Sequence, residues 1–297
     1  MAQKLLHYDV LERLGQGAGS VIYRVLDPTT GQYYALKHVV RNDPKDIRFV
    51  EQMEAEFALS RQFVHPNLRR SYDLKINRTM LVKVTEAFLL MELVDGRPLD
   101  EQPPTDLVQT VDIFIKAAQG LQAMHSMGYV HCDIKPNNIL VGNGLVKVID
   151  FGQSCQIGTV KERIQGTPDY IAPEQVKRKP VSHKTDIYNL GATLYWATTG
   201  RNSPTLYTVQ QSSSHSFLVD TEIPTPRQLN PNVPLALSNL IMECIANRPE
   251  KRPAGMDQVI QRLELSRLVL LKQMAPPDQP VMEQLSEEEL KELDENR

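Results

Sequence analysis

Cysteine is scarce in this sequence, which has only Cys132, Cys155 and Cys244 among its 297 residues. Three scattered cysteines are too few for the disulfide framework of a small secreted domain, and no Cys-x-x-Cys pair suggests structural zinc. Long apolar stretches are missing as well, because no uninterrupted run could span a bilayer and the first nine residues lack the apolar core of a signal peptide. We therefore expect a soluble protein in a reducing compartment, with a cytoplasmic location and no membrane span in this chain.

An excess of charge of either sign is also lacking. The chain has 33 lysines and arginines against 36 aspartates and glutamates, which gives a formal net charge of −3. This balance argues against nucleic acid or a membrane surface as the main partner. Internal repeats and long low-complexity tracts are absent, and the length suits either one large domain or two of ordinary size.

The most informative stretch is a predicted hairpin in the middle of the chain. Two aliphatic runs flank the Gly-Asn-Gly stretch 142–144, and Asn-Gly between such runs is a strong hairpin signal. Asn138 before the first run would then lie nearly level with Asp150 after the second. An amide oxygen and a carboxylate at one edge suit Mg²⁺, which takes few protein ligands. Asp133 lies on the preceding loop, close enough to orient a hydroxyl group beside that metal.

Residues 131–152 together resemble the catalytic loop and the Asp-Phe-Gly segment of protein kinases, H-R-D-x-K-x-x-N followed by D-F-G. A lone D-F-G would be weak evidence, since an aspartate often closes a strand before a turn. Here the rest of the pattern matches at the right spacing. The resemblance implies that Asp133 accepts or orients the hydroxyl proton and that Lys135 offsets charge on the moving phosphoryl group. It also implies that Asn138 and Asp150 hold Mg²⁺.

A glycine-rich segment near the N-terminus lies between two predicted strands, 8–14 and 20–26. Its three glycines allow the backbone to approach a phosphate closely, although a glycine-rich hairpin turn without a ligand would look the same. The segment resembles the phosphate-covering loop of protein kinases, with Ser20 in place of the third glycine. The resemblance gives an ATP-binding set of Leu14, Gly15, Gln16, Gly17, Ala18, Gly19, Ser20, Val21 and Ile22, the last of which would pack on the adenine.

The next predicted strand, 32–40, places Ala35 and Lys37 on one face by its two-residue period. An exposed lysine is the commoner case, but the element resembles the kinase V-A-I-K motif, which puts both residues in the ATP site. The partner of Lys37 should lie on the following helix, where Glu56 is beside the apolar stripe and Glu54 is not. Ser60 stands where the family usually has a larger apolar residue against the D-F-G phenylalanine, so we expect this arrangement to be less firmly held.

A turn cluster at 95–98 predicts the boundary between two lobes, 8–94 and 95–265. By resemblance, Met91 limits access behind the adenine, and the backbone of Glu92 and Val94 would bond to its edge. Leu140 completes the predicted ATP-binding set.

A core helix is predicted from helical apolar spacing over residues 106–127, with Gly128 as its stop. It would lead directly into the catalytic loop. His125 near its end has no metal-ligand partner at a useful spacing, so we interpret it as a packed or surface histidine.

The stretch from 153 to 174 resembles the kinase activation segment, which ends in G-T-x-x-Y-x-A-P-E and forms the platform for a peptide substrate. Lys135 and Thr167 together resemble the serine/threonine branch. By the same resemblance, Asp186 anchors the catalytic-loop backbone and Arg252 pairs with Glu174, both as structural support. A Pro-rich surface loop is the alternative, but it would not predict the helix after Asp186.

These features predict an α+β bilobal kinase fold and transfer of the ATP γ-phosphoryl group, with Mg²⁺, to serine or threonine hydroxyls of protein substrates. A pseudokinase scaffold is the alternative, and a small-molecule kinase is a weaker third. Cys132 replaces the arginine that pairs with a phosphorylated loop residue in relatives, so activity should not require loop phosphate. Lys161 or Arg163 could substitute for that arginine.

Residues 266–297 lie beyond the resemblance and contain a Pro-rich break followed by a short acidic helix from Ser286 with a capping box. A solvated tail is the simpler interpretation. A docking element for a partner is the alternative.

Overall fold

The computed structural model describes residues 3–17, 19–79, 83–208 and 223–274. The first part of the chain forms an antiparallel sheet with a helix against it. Its elements are β1 (Lys4–Leu5), β2 (Tyr8–Gly17), β3 (Ser20–Leu26), β4 (Tyr33–Val40), α1 (Ile47–Ser60), β5 (Ser71–Thr79) and β6 (Lys83–Glu92). The strands follow the order β1-β2-β3-β4-β6-β5.

Both faces of this sheet are covered, as the alternation along β4 requires. Ala35 and Val39 point to α1 and share a core with Met53. Leu36, on the opposite face, packs in a separate cluster with Phe88. Because side chains alternate along a strand, Lys37 lies between Ala35 and Val39 on the face that α1 covers. The sheet therefore directs this lysine toward the helix.

The second part of the chain is mainly helical. Its helices are α2 (Leu107–Ser126), α3 (Pro173–Val176), α4 (His183–Thr199), α5 (Pro226–Leu229), α6 (Leu235–Cys244) and α7 (Met256–Met274). Its short strands are β7 (Arg97–Pro98), β8 (Tyr129–Val130), β9 (Ile139–Gly142), β10 (Leu145–Val148) and β11 (Cys155–Gln156). These strands form two small sheets, one with the order β10-β9-β7 and one of β11 and β8.

The central helix of this part is α2, as the apolar spacing predicts. Val111, Phe114, Ala118 and Leu121 are fully buried in the main core. Asp106 caps the first turn by accepting from the Gln109 N–H. After the helix, the chain reverses at Gly128, whose φ is 81°. A sheet-based lobe followed by a helical lobe confirms the predicted α+β bilobal fold.

The last helix of the described residues runs past the predicted end of the second lobe. α7 continues to Met274, nine residues beyond the boundary placed at residue 265, and that boundary stays a prediction. Ser266 and Leu270 are buried, because they continue the helical spacing of Leu263 on the core face. The predicted Pro-rich break and the acidic segment from Ser286 lie outside the described residues, and both interpretations of them stay predictions.

Within the ranges that the structure describes, none of the helices has the length and apolar character needed to cross a membrane.

Candidate active site

The hairpin forms as predicted and sets the edge of the site. Asn143 and Gly144 both have left-handed backbone, with φ of 46° and 76°, which is the requirement of the tight turn favoured by right-twisted strands. β9 and β10 pair from Gly142↔Leu145 to Ile139↔Val148. The Ile149 N–H then donates to Asn138 O at 3.0 Å. Asn138 and Asp150 therefore emerge at the same end of the hairpin.

Asp150 presents its carboxylate toward the sheet lobe. Its Oδ1 lies 3.6 Å from Lys37 Nζ, and 45% of its side chain is exposed. Behind it, Phe151 packs edge-on against the Phe63 ring at 4.7 Å and against His131. Burial alone would raise the pKa of Asp150, but the charge of Lys37, followed by that of Arg69, lowers it. Asp150 is therefore ionised at neutral pH, as an oxygen ligand for a cation must be.

Lys37 is held by a carboxylate from α1. Its Nζ lies 2.6 Å from Glu56 Oε2, and the Glu56 side chain is only 1% exposed. Burial would lower the pKa of Lys37, but Glu56 and then Asp150 raise it above its usual value. The helical-wheel choice of Glu56 over Glu54 agrees with this contact. The pair is in place even though Ser60 is small.

Arg69 is a second cation at Glu56, and no sequence pattern predicted it. Its guanidinium lies 3.4 Å from Glu56 Oε1, with 6% of the side chain exposed. The backbone N–H of Arg69 donates to Val148 O at 3.1 Å, so Arg69 connects α1 to β10, the strand that leads to Asp150. The sequence carries no local signal for this contact, because Arg69 is recognisable as a partner of Glu56 only once its burial is known, since a buried arginine requires a carboxylate partner.

Two small polar groups connect α1 to β5. The Ser60 hydroxyl donates to Glu56 O at 2.6 Å and shares a hydrogen bond with Ser71 Oγ at 2.7 Å. Both serines are buried. The predicted consequence of Ser60, a weak contact with the D-F-G phenylalanine, is offset here because Phe63 supplies the aromatic contact to Phe151.

Asp133, Lys135 and Thr167 form a closed polar group on the other side of the site. Asp133 Oδ1 accepts from the Thr167 N–H at 3.0 Å and from its hydroxyl at 2.9 Å. Lys135 Nζ lies 3.1 Å from Asp133 Oδ2 and donates to Thr167 Oγ1 at 2.8 Å. Asn138 Nδ2 donates to Asp133 O at 2.8 Å. The activation segment therefore meets the catalytic loop at the predicted catalytic carboxylate.

The same contact indicates how a cation would be bound. Because Asn138 uses its amide nitrogen toward Asp133, its Oδ1 is left as an oxygen ligand beside the ionised Asp150. A pair of oxygens from an amide and a carboxylate fits Mg²⁺, which completes its shell with water and phosphate oxygens. The donor set thus suits the predicted metal.

Asp186 of α4 holds the backbone of the catalytic loop. Its carboxylate is fully buried and accepts the N–H groups of His131 and Cys132, both at 2.8 Å. His125 Nε2 lies 2.8 Å from the same carboxylate, a role that periodicity could not predict. Burial would raise the pKa of Asp186, but the His125 hydrogen bond lowers it. These bonds hold Cys132 at φ 67°, a conformation that is unfavourable for a residue with a Cβ.

Glu174 and Arg252 connect the end of the activation segment to the loop between α6 and α7. Arg252 Nη1 and Nη2 bond to the two Glu174 oxygens at 2.7 and 2.9 Å. The guanidinium also lies over the Tyr188 ring at 4.9 Å and donates to Ala246 O. Burial would raise the pKa of Glu174, but Arg252 lowers it. This pair matches the predicted support.

The glycine-rich segment differs in form from the prediction. β2 continues to Gly17, and pairing with β3 extends to Gly17↔Ser20, so residues 15–17, which were predicted as part of the connecting loop, belong to the strand. Glycine permits this because it adds no side chain to the ladder. Gly19 has φ 132°, and a Cβ there would lie 2.6 Å from the Phe49 ring. Ala18 lies outside the described residues.

The remaining predicted nucleotide residues lie on the strands of the sheet lobe, at its end and on β9. Met91 is fully buried and pairs with Ala35 across β4 and β6. Glu92 donates its N–H to Arg70 O at 2.9 Å, so a contact from Glu92 to a nucleotide would come from its carbonyl. Leu14 and Val94 line an open pocket of about 530 Å³ together with Gly142 of the other lobe.

Not all of these residues meet in that pocket. Lys37, Glu56 and Asp150 lie outside its lining. Ile22 packs beside the cluster of Ala35 and Met91, at the sheet side of the cleft. Leu140 is half-buried on β9. Gln16 makes its side-chain contact with Arg13 at the hairpin tip, and Val21 pairs with His38 on β4.

The sheet lobe, the helical lobe and the acidic and basic groups between them have the arrangement of a phosphotransferase. The chain belongs to the protein kinase family, because the protein kinase domain model matches residues 8–263. This confirms the resemblance carried by the motifs at 131–152. Members of this family use ATP as the phosphoryl donor together with a divalent metal.

Several bacterial relatives are serine/threonine kinases by name. A probable serine/threonine-protein kinase of Clostridium acetobutylicum is 28% identical over 265 residues, covering 86% of this chain and 39% of the relative. The DNA damage-responsive serine/threonine-protein kinase of Deinococcus radiodurans is 30% identical, with 83% and 37% coverage. Pkn1 of Myxococcus xanthus is 30% identical, with 84% and 36% coverage. The chain thus spans about two fifths of these relatives' length.

Proposed function

We propose that this chain transfers the γ-phosphoryl group of MgATP to serine or threonine hydroxyls of protein substrates. The observation that carries the proposal is the closed group of Asp133, Lys135 and Thr167, in which a carboxylate, an ammonium and the activation segment meet within hydrogen-bond distance. Such a group can receive a hydroxyl and balance the charge of a phosphoryl group beside it.

In the proposed reaction, the acceptor oxygen forms a bond to the γ-phosphorus while the bond to the ADP oxygen breaks. The hydroxyl proton passes to Asp133, whose Oδ1 the Thr167 N–H and hydroxyl orient. Lys135 lies on the opposite carboxylate oxygen and would offset charge on the moving group. These are positioning and charge effects, which carry most of the catalysis in phosphoryl transfer.

We assign phosphate binding to Lys37 and metal binding to Asn138 and Asp150. The 2.6 Å contact to Glu56 holds the lysine head group at the inner end of the cleft, and the low pKa of Asp150 keeps its charge available. A Mg²⁺ ion held there would neutralise charge on the phosphates. The residues 14–22, Ala35, Met91, Glu92, Val94 and Leu140 would enclose the nucleotide, with the hairpin tip covering its phosphates.

We also propose that the activation segment works without phosphate. It is docked through neutral and side-chain-to-backbone bonds, since Gln175 Nε2 donates to Cys132 O at 2.8 Å and to Gln165 O at 3.2 Å. Arg178 donates to Glu162 O. Bonds of this kind replace the arginine–phosphate contact that Cys132 excludes. The cytoplasm, where ATP is abundant and thiols stay reduced, is the location that we propose for this activity.

The test is transfer of radiolabelled phosphate from ATP to a generic basic protein substrate with Mg²⁺, using the wild type, Asp133→Asn and Asp150→Ala. Asp133→Asn should bind MgATP normally but lose at least 100-fold in kcat, as removal of a general base typically does (about 10²–10⁴). Asp150→Ala should lose MgATP affinity. Equal weakening of MgATP binding in both variants would contradict these roles. ATP binding by the wild type without turnover would identify a nucleotide-binding scaffold instead.

A further inference from the structure

Two of the three cysteines meet at the junction of the catalytic loop and the activation segment. Cys132 Sγ and Cys155 Sγ are 3.9 Å apart, although 23 positions separate them in the sequence. β8 and β11 bring them together, because Cys155 pairs with Val130. With Val130 and Val181 they form a small cluster apart from the main core. Cys244, the third cysteine, is buried elsewhere against Gly191 of α4.

The two thiols have different surroundings. Cys132 is 1% exposed, whereas Cys155 is half-buried and reachable from solvent. Lys161 and Thr159 face Cys155, and Lys161 is held in place by donating to Gln153 O. The Cys132 hydrogen bond, followed in effect by Lys161, lowers the pKa of Cys155 to about 6. The same bond and burial raise the pKa of Cys132. Cys155 is therefore the more reactive and more accessible thiol, and Cys132 is protected beside it.

We propose that Cys155 and Cys132 form a reversible intramolecular disulfide that fastens the activation segment to the catalytic loop. The oxidant is hydrogen peroxide or another two-electron peroxide. The Cys155 thiolate attacks a peroxide oxygen, the O–O bond breaks, and a sulfenic acid and hydroxide result; the hydroxide takes a proton to become water. Cys132 sulfur then attacks the Cys155 sulfur, loses its proton, and displaces the second oxygen as water. Two thiols are oxidised and one peroxide is reduced to two waters.

The geometry favours closing this bond in the docked arrangement. The sulfurs must approach from 3.9 Å to about 2.05 Å. Backbone bonds to Asp186 and Gln175 hold Cys132, so the movement falls on Cys155, in a short strand that Gly158 follows at φ 91°. The bond would link the residue before Asp133 to the segment five positions after Asp150. The disulfide would therefore connect the catalytic loop to the activation segment covalently. It would take the place of the arginine–phosphate contact, which a cysteine at position 132 cannot form.

The test uses the whole chain, which is first reduced with dithiothreitol and then separated from that reductant. One to five equivalents of hydrogen peroxide are added, free thiols are blocked with iodoacetamide, and tryptic peptides are mapped by mass spectrometry. The expected product is a peptide pair linked through Cys132 and Cys155, 2 Da lighter than the reduced pair and lost on treatment with dithiothreitol. The oxidised protein should also melt roughly 5 °C or more above the reduced one, since a bridge across a loop of this length restricts the unfolded chain.

Variants separate the roles of the two thiols. Cys244→Ser is the matched control and should still form the link. Cys155→Ser should abolish it, while Cys132→Ser should leave Cys155 as a sulfenic acid that dimedone traps. In the wild type, alkylation of Cys155 by iodoacetamide should reach half its maximal rate near pH 6. A link through Cys244, a link only between two molecules, or no link in the wild type would overturn the proposal. None of these readouts depends on kinase activity, so they separate this inference from the proposed function.

Discussion

Replacing Arg252 by methionine is expected to destabilise the helical lobe strongly. The Arg252 and Glu174 side chains are 0% and 6% exposed, with bidentate bonds of 2.7 and 2.9 Å. Removing one member leaves a buried charge without a partner, which costs about 3–5 kcal/mol. This is a large part of the roughly 5–15 kcal/mol that stabilises a typical domain. At about 2–4 °C per kcal/mol for a domain of this size, the melting temperature should fall by roughly 6–20 °C.

The control is an ion pair with similar geometry on the surface. Arg262 and Glu243 also bond in bidentate fashion, but their side chains are 27% and 46% exposed. An exposed pair contributes about 0–1 kcal/mol, so Arg262→Met should shift the melting temperature by only a few degrees. Urea denaturation followed by circular dichroism measures both variants. Arg252→Met combined with Glu174→Leu should recover at least half of the loss, because no unpaired charge then remains.

The pH dependence gives a second check. The folded pKa of Glu174 lies below its ordinary value of 4.5, so the stabilisation by its charge is complete above pH 4.5 and is lost as the pH falls toward the folded value. The stability difference between wild type and Arg252→Met should therefore shrink below pH 4.5. If Arg252→Met cost no more than Arg262→Met, or if the double variant recovered nothing, the reasoning from burial would be refuted.

Two further predictions concern the active site. Arg69→Leu should lower kcat/KM several-fold, since Glu56 then keeps only one of its two cations. The control is Arg70→Leu, because the Arg70 side chain is exposed. Equal effects of the two variants in steady-state kinetics would show that Arg69 has no positioning role. Phosphatase-treated protein and the Ser154→Ala and Thr159→Ala variants should keep wild-type initial rates. A lag that autophosphorylation removes, or a tenfold loss (about 1.4 kcal/mol), would show that loop phosphate matters.

The sequence predicted the local parts of the site well. Asp133, Lys135, Asn138 and Asp150 lie within 18 positions of one another, and the turn at 142–144 determines how they face. Helical and strand periods likewise predict which face of α1 and β4 is buried, which was enough to select Glu56 for Lys37. The exact ends of β2 and α7 could not be predicted, because strand pairing and helix length depend on contacts with neighbouring elements.

The roles of these residues in catalysis stay predictions, but their placement shows what local patterns cannot supply. Periodicity predicts that a side chain is buried, but it does not identify the residue that the side chain contacts. His125 was indistinguishable from a packed histidine until α4 placed Asp186 against it. Arg69 had no local partner, since Glu56 lies 13 positions away on another element.

By itself, the sequence determined the α+β kinase fold and the spacing of the candidate active-site residues, because motif spacing and alternation act over a few residues. Only the tertiary structure decided the second cation at Glu56, the His125 contact to Asp186 and the 3.9 Å approach of Cys132 to Cys155. Each of these contacts joins elements distant in sequence. Their distances depend on how α1, α4 and the short strands pack together, a property that no local segment of the chain carries.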